Sequence, residues 1–426
     1  MSRDVVIVEG VRTPYTRAGT LLKDVTAAEL ARAVVVELLA RADFDPADLD
    51  EVIFGNIAQP PGEVNVARVA ALRAGVPARV PAFTVNRLCG SGLESITDAA
   101  YRIAAGDANA IVAGGVESMS NIPLLFTHES QEVFTGLFTA RDAAGKLAAA
   151  SRFRPRHFQP EIGLQMGLTD PVCGLNMGQT AEVLAREHGI TRQEQDAFAL
   201  RSHQRVTLAR AKLAEEIVPV PVPPKFLEMA VEDNGVREHQ TMEALAKLKP
   251  VFDRKFGTVT AGNSSQITDG AAAVLVMSAS AAKERGLKPL GRLRGAAFCA
   301  LEPERMGLGP AAATPIALKR AGVAWKDIGL VEMNEAFAAQ CLANARVFPW
   351  AAWHAKYATG GPIGELDWEK TNVNGGAIAL GHPVGSSATR LVHTLLKEMK
   401  RRGTALGLAT MCIGGGQGGA AVLELM

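Results

Sequence analysis

Residues 82–103, AFTVNRLCGSGLESITDAAYRI, place Cys89 where an apolar, strand-like run gives way to a helix. The glycines at 90 and 92 permit a tight turn and close approach of a substrate, and Leu93, Ile96, Ala100 and Ile103 recur at the spacing of one helical face. A sulfur at a helix start meets unpaired N–H groups and the positive end of the helix dipole, both of which favour thiolate over thiol. Yet a lone cysteine among small residues is more often a buried hydrophobe than a nucleophile. Cys89 therefore needs chemical partners elsewhere in the chain.

Working outward, DVVIVEG from Asp4 and EVIFG from Glu51 read as strands. Between them Thr26 and Glu29 make a capping-box start for a helix whose buried stripe is Leu30, Val34 and Leu38. AIVAGG from Ala110 adds a further strand, so the alternation predicts a layered α/β half. Residues 122–267 change character, with more proline and charge and few strand runs, before DGAAAVLVMS from Asp269 returns to the strand pattern. From Leu290 the opening order repeats: PIALKRAGVAWKDIGLVEMNE follows the helix, turn and strand logic of VVELLARADFDPADLDEVIFGN. TVN-RLCGSG faces NVN-GGAIALGHPVG, which pairs Cys89 and Gly92 with His382 and Gly385 at the same offset. The expected organisation is an internal duplication: one half from 1–121 plus 268–289, a loop domain over 122–267, and a second half over 290–426. A Cys and a His at equivalent places could then meet between the halves.

Composition narrows the class. A chain of 426 residues calls for two or three packed units, and a net charge of +1 offers no bulk attraction to nucleic acid or an anionic membrane. The five cysteines (89, 173, 299, 341 and 412) are scattered, with no C-x-x-C pair for a metal or a disulfide framework, as in a reduced, intracellular protein. Strand-like sequence begins at Asp4 without a targeting extension, and no apolar run is long enough to span a bilayer, so a cytoplasmic location is expected. Arg152, Arg154, Arg156 and His157 form a basic group that reads as a solvated face or as a contact for an anionic ligand.

Three more stretches lie at strand-to-loop transitions: MNEAFAAQ from Met333, GGAIALGHPVGSSATR from Gly375 and MCIGGGQGG from Met411. Each alone is weak, since glycine-rich turns are common, Asn334 could cap a helix, and Cys412 could be a buried small residue. In this order, beside NRLCGSG, AGGVESMS at Ala113 and VTAGNSSQITDGAAA at Val259, they resemble the thiolase family of acetyl-CoA acyltransferases over essentially the whole chain.

The resemblance implies a fold of two duplicated βαβαβ-type halves stacked as α-β-α-β-α layers with an inserted loop domain. It implies an acyltransferase in which Cys89 takes the acyl group as a thioester, His382 withdraws its proton, and Cys412 is the second acid/base. Two oxyanions need fixed donors: one facing His382 and a water held by Asn334, the other facing the backbone N–H groups of Cys89 and Gly414. By similarity Ser265 meets the pantetheine, Met177 and Phe337 line its tunnel, and Arg237 lies against the adenine, with the basic group at Arg152–Arg156 a second candidate for the anionic end of CoA. Coenzyme A is a substrate here; no metal and no tightly bound cofactor is implied.

The implied reaction is reversible ping-pong cleavage of 3-oxoacyl-CoA by CoA, with acetoacetyl-CoA synthesis the alternative within the family. A non-catalytic acyl-CoA or lipid-binding protein needs none of the reactive groups. A decarboxylating condensing enzyme would not need the second cysteine. Family members form dimers or dimers of dimers. The enlarged stretches 124–174 and 346–370 resemble thiolases that work in fatty-acid oxidation with a hydratase/dehydrogenase partner subunit, but those usually carry His where Asn334 stands.

Overall fold

The computed structural model describes residues 4–357 and 359–426. The first half runs β1 (Val5–Arg12), α1 (Ala27–Arg41), β2 (Glu51–Gly55), α2 (Val66–Arg73), β3 (Ala82–Val85), α3 (Ser91–Ala105) and β4 (Ala110–Ser118). A middle segment carrying α4 (Met177–Glu187) and α5 (Arg192–Ala214) precedes β5 (Thr268–Ser278), which returns to the first half. The second half follows as β6 (Gly291–Ala300), α6 (Gly309–Ala321), β7 (Leu330–Met333), α7 (Ala338–Val347), α8 (Ser387–Arg402), β8 (Leu406–Ile413) and β9 (Gln417–Leu425).

Sheet order exposes the duplication. The first half is ordered β3-β2-β4-β5-β1 and the second β6-β9-β8-β7. In the first, β2 pairs parallel with β3 and β4, while β5 runs antiparallel to β4 and β1. In the second, β7 pairs parallel with β8, and β9 runs antiparallel to β8 and β6. Even the counterpart of β3 leaves a trace, a parallel bridge from Val331 to Thr371. The two ladders are also joined edge to edge through Val6–Arg292 and Ile7–Gly291.

Strand alternation sorts side chains into three cores. Val6 and Val8 of β1, with Ala273 and Leu275 of β5, pack against Leu30, Val34 and Leu38 of α1 and Val66 and Ala70 of α2. Their neighbours Ile7, Val274 and Val276 point the other way, into a cluster with Leu93 and Ile96 of α3, Leu391 and Leu395 of α8, and Met411 and Ile413 of β8. On the far side, Leu408 and Cys412 of β8 meet α6 and α7. The order is helices, sheet, the helix pair α3 and α8, sheet, helices, so the loops that start α3 and α8 lie in the middle of the molecule.

The two enlarged stretches behave differently. Trp353 and Leu366 from 346–370 join the second-half core, and Trp368 packs edge-on against Phe198 of α5. Residues 122–166 instead form a helical hairpin (His128–Thr139 and Ala143–Ser151) around Phe126, Phe134, Phe153 and Phe158, with Phe138 and Leu147 exposed. Among the described residues no helix is long and apolar enough to cross a membrane.

Candidate active site

Between the end of β3 and the start of α3 the chain makes a tight turn held by its own polar groups. Leu88 N–H donates to Asn86 Oδ1 (2.9 Å), and Ser91 Oγ accepts from Arg87 N–H (2.9 Å) while donating to the Leu88 carbonyl (2.6 Å). Leu88 sits at φ +46°, a left-handed conformation that costs a residue with a Cβ about 1–2 kcal/mol. That turn presents the Cys89 sulfur to its own backbone N–H and to that of Gly414. Gly90 allows the approach, because a Cβ there would run into Ile413. The Arg87 guanidinium pairs with Glu94, meets Gln417 Oε1 (3.3 Å) and lies over the Phe298 ring at 4.2 Å.

The helix start does not make Cys89 a thiolate. Burial is the largest influence and raises its pKa; the two N–H groups oppose it, and the Glu117 carboxylate adds to the rise. The expectation from helix N-terminus chemistry alone is reversed because desolvation of a sulfur anion outweighs two hydrogen bonds. Cys89 rests as a thiol.

His382 reaches the same region from the second half. Gly381, at φ +104°, turns the chain where a Cβ would collide with Thr268, and His382 N–H donates to the Gln266 carbonyl (3.1 Å). The imidazole is 6% exposed. Its Nδ1 lies 2.6 Å from Ser387 Oγ, and that hydroxyl donates to the Pro383 carbonyl (3.1 Å), so the hydroxyl accepts from Nδ1–H and leaves Nε2 as the bare nitrogen. Nε2 accepts from Asn334 Nδ2 at 3.3 Å. Burial, with a smaller contribution from Arg390, lowers the His382 pKa to about 3, so the ring is a neutral base.

Asn334 follows β7 directly and is fully buried, its N–H donating to the Thr410 carbonyl (3.0 Å). Its Oδ1 has no partner among the described residues, which suits an amide that holds a water or a substrate atom. Cys412, on β8, is 1% exposed, and burial followed by charge on Cys89 pushes its thiol well up. Cys341 of α7 completes the group: its thiol donates to the Asn334 carbonyl (3.6 Å), and its own pKa is raised by burial, Glu335 and Cys412.

The structure also places the other candidates. Met177 opens α4 and sets its sulfur 3.6 Å from the point a Cβ on Gly414 would occupy. Phe337 lies before α7, 8% exposed, edge-on to Phe252 at 6.1 Å. Ser265 is tied to this segment by its N–H to the Ala336 carbonyl (2.9 Å). Arg237 is exposed, and its backbone N–H donates to His203 Nδ1 (3.1 Å). In the helical hairpin, Arg154 bonds the Ser151 and Phe153 carbonyls (2.8 Å each) and Arg156 pairs with Glu129.

Ser387, Cys341, Gln266 and Phe252 are site neighbours that sequence reasoning missed. Ser387 had a signal in its place just beyond the Gly-His-Pro run; Phe252 had none. The two loops reach their helices over different lengths. Cys89 stands two residues before the first residue of α3, whereas His382 stands five before that of α8. Gly92 and Gly385 nonetheless meet, a Cβ on Gly92 falling 2.9 Å from the Gly385 carbonyl oxygen.

Three thiols, a neutral imidazole and an amide converge here, with backbone donors at the sulfur of Cys89. Burial raises the Cys89 thiol and lowers the His382 imidazole, so both groups rest neutral. The arrangement therefore suits proton transfer that accompanies sulfur attack rather than a preformed ion pair.

Comparison with known proteins agrees with this geometry. The N-terminal thiolase domain model matches residues 5–280 and the C-terminal one residues 287–425. A 3-ketoacyl-CoA thiolase of Serratia proteamaculans is 42% identical over 99% of this chain and 97% of its own length, and one of Yersinia enterocolitica is 41% identical over the same shares. Among solved structures, the Bacillus anthracis acetyl-CoA acetyltransferase superposes with TM-score 0.87 at 37% identity, covering 100% of this chain and 99% of that one. Human mitochondrial 3-ketoacyl-CoA thiolase in complex with CoA superposes with TM-score 0.85 at 38% identity, covering 100% and 98%. With both domains matched end to end and the site drawn from both halves, this chain belongs to the thiolase family.

Proposed function

We propose that the chain cleaves 3-oxoacyl-CoA with CoA, reversibly and by a ping-pong route, through an acyl-Cys89 intermediate. The observation that carries this reading is the Cys89 sulfur facing two backbone N–H groups from opposite halves. Cys89 attacks the 3-oxo carbon as its proton passes to His382 Nε2, and the new oxyanion takes the N–H groups of Cys89 and Gly414. The bond between C2 and C3 breaks, leaving the enolate of acetyl-CoA, whose oxygen is met by His382 and by a water on Asn334. The Cys412 thiol protonates C2 and acetyl-CoA leaves. The Cys412 thiolate then deprotonates the incoming CoA thiol, which attacks the acyl thioester; collapse of the second oxyanion expels Cys89, which recovers its proton from His382.

Met177, Phe337 and Ser265 take the pantetheine and Arg237 the adenine, a reading supported by the ties of the first three to the site. CoA is a substrate, consistent with the CoA complex of the human relative. The division into 1–121 plus 268–289, 122–267 and 290–426 is supported by the repeated topology and by the return of β5. A homodimer or homotetramer is supported by β3, an edge strand whose four residues are all half-buried. A hydratase/dehydrogenase partner subunit is supported by the apolar surface of the 122–166 hairpin, and a cytoplasmic location by the five unpaired cysteines.

Synthesis of acetoacetyl-CoA is the second reading, favoured by the likeness to the Bacillus anthracis acetyltransferase. Rates with CoA across a series of 3-oxoacyl chain lengths separate the two. Degradation predicts kcat/KM held within about tenfold from four carbons to long chains. A fall of about a hundredfold or more beyond four carbons assigns the synthetic role.

A further inference from the structure

Glu117, the penultimate residue of β4 and 1% exposed, is a buried carboxylate that the reaction above does not use. Its partners are neutral N–H donors from both halves. Oε1 accepts from Asn56 Nδ2 (2.9 Å) and Ala58 N–H (3.0 Å), Oε2 from Ile57 N–H (3.1 Å), and the carboxylate also accepts from the backbone N–H of Gly385. Residues 56–58 belong to the half that carries Cys89. Gly385 lies inside the turn from His382 to Ser387, whose ends are closed by the bond from Nδ1 to Ser387 Oγ.

That turn lies flat on the first half, backbone against backbone. The Gly385 carbonyl fills the space of a Cβ on Gly115, and a Cβ on Gly385 would collide with the Val116 carbonyl and sit 2.9 Å from Glu117 Oε2. Side chains flank this contact, Ser386 Oγ lying 2.7 Å from Tyr15 OH and Pro383 Cγ 3.1 Å from the point a Cβ on Gly270 would occupy, while at Gly385 itself the polar group across the seam is the Glu117 carboxylate. A carboxylate suits the place better than an amide, because Gly385 leads into α8 and all the donors here point at one anion.

We propose that Glu117 is a positioning residue that holds the His382–Ser387 turn against the half carrying Cys89, and so sets where His382 Nε2 stands relative to the Cys89 sulfur. The proposal rests on the reading of Cys89 as nucleophile and His382 as its base. Burial pushes the Glu117 pKa up to about 7 while the N–H donors resist, and its charge also raises that of Cys89. Charge and position therefore act on the thiol in opposite directions, which makes them separable.

The test compares wild type, Glu117→Gln and Glu117→Asp by steady-state kinetics with acetoacetyl-CoA and CoA, and by the rate of Cys89 alkylation with iodoacetamide against pH. Positioning predicts that Gln lowers kcat about tenfold or more with KM for CoA within about twofold, and slows alkylation near neutral pH. Asp, which keeps the charge but is a methylene too short to span the seam, should behave like Gln. Faster alkylation in Gln with a wild-type-like Asp would assign a purely electrostatic role and overturn the proposal, as would unchanged kcat in Gln. Should Glu117→Gln fail to fold, Asn56→Ala decides: a fall in kcat of about threefold at constant KM supports the clamp, and unchanged kcat overturns it. Acetylation of wild-type Cys89 by acetyl-CoA, measured alongside, separates failure of this clamp from failure of the nucleophile assignment.

Discussion

Cys89→Ser should lower thiolytic turnover of acetoacetyl-CoA by about a thousandfold or more, with the folded state intact. The substitution is nearly isosteric and leaves the N–H groups of Cys89 and Gly414 in place, so the oxyanion donors survive. What it removes is acidity. His382, near pKa 3, is already a weak base for a thiol, and a hydroxyl is harder still to deprotonate. A preformed thiolate–imidazolium pair would not carry the same dependence on proton transfer during attack. The measurement is the rate of acetoacetyl-CoA loss at saturating CoA; a variant within about tenfold of wild type would place the nucleophile elsewhere.

His382→Asn should cost about a thousandfold in kcat while leaving KM for CoA nearly unchanged, because Nε2 is the nitrogen freed by the Ser387 bond and it faces Asn334 rather than solvent. The same variant carries a signature in stability. The folded pKa of about 3 lies below the ordinary 6.5, so between those values the unfolded chain binds a proton that the folded one does not. The burial of this histidine is therefore free of proton linkage above about pH 6.5 and destabilises the wild type progressively as pH falls toward 3, by about 2 kcal/mol at pH 5. Asn has no such linkage. Whatever the Tm gap between variant and wild type at pH 7.5, it should shift in favour of the variant at pH 5; a gap independent of pH would contradict a neutral, buried His382.

Much of this site was legible because its chemistry lies in short runs at strand ends. Cys89, Asn334, His382 and Cys412 each sit within a few residues of a strand or helix boundary that the sequence pattern marks. The stripes Leu30–Val34–Leu38 and Leu93–Ile96–Ile103 are buried as their spacing predicts. What the pattern could not show is contact across the halves. Phe252 reaches Phe337 from a loop with no periodicity, and Gly178 is opposite it because a Cβ there would meet the Phe252 ring. The capping box at Thr26 is only half formed: its hydroxyl accepts from Glu29 N–H (3.4 Å), but Glu29 turns to Arg32 while Glu63, distant in sequence, takes the Thr26 hydroxyl (2.8 Å) and the Ala28 N–H (3.0 Å). The rise in the Cys89 pKa was not legible for a related reason: helix position is visible in sequence, whereas desolvation by the second half is not.

The duplication was visible in the order of elements, but the helix starts that make its two loops unequal were not. Three additional residues separate His382 from its helix, and they form the turn that Ser387 closes and Glu117 holds. The two halves thus deliver unlike loops, one ending in a strained Leu88 before the sulfur, the other in a closed turn around the imidazole.

The central claim is that Cys89 carries the acyl group between two half-reactions. Its direct test is mass spectrometry of the intact protein and its peptides after brief incubation with acetyl-CoA alone. The account predicts one acetyl group, located on Cys89 and discharged on addition of CoA. Absence of the adduct, or its location on Cys412 or Cys341, would contradict it.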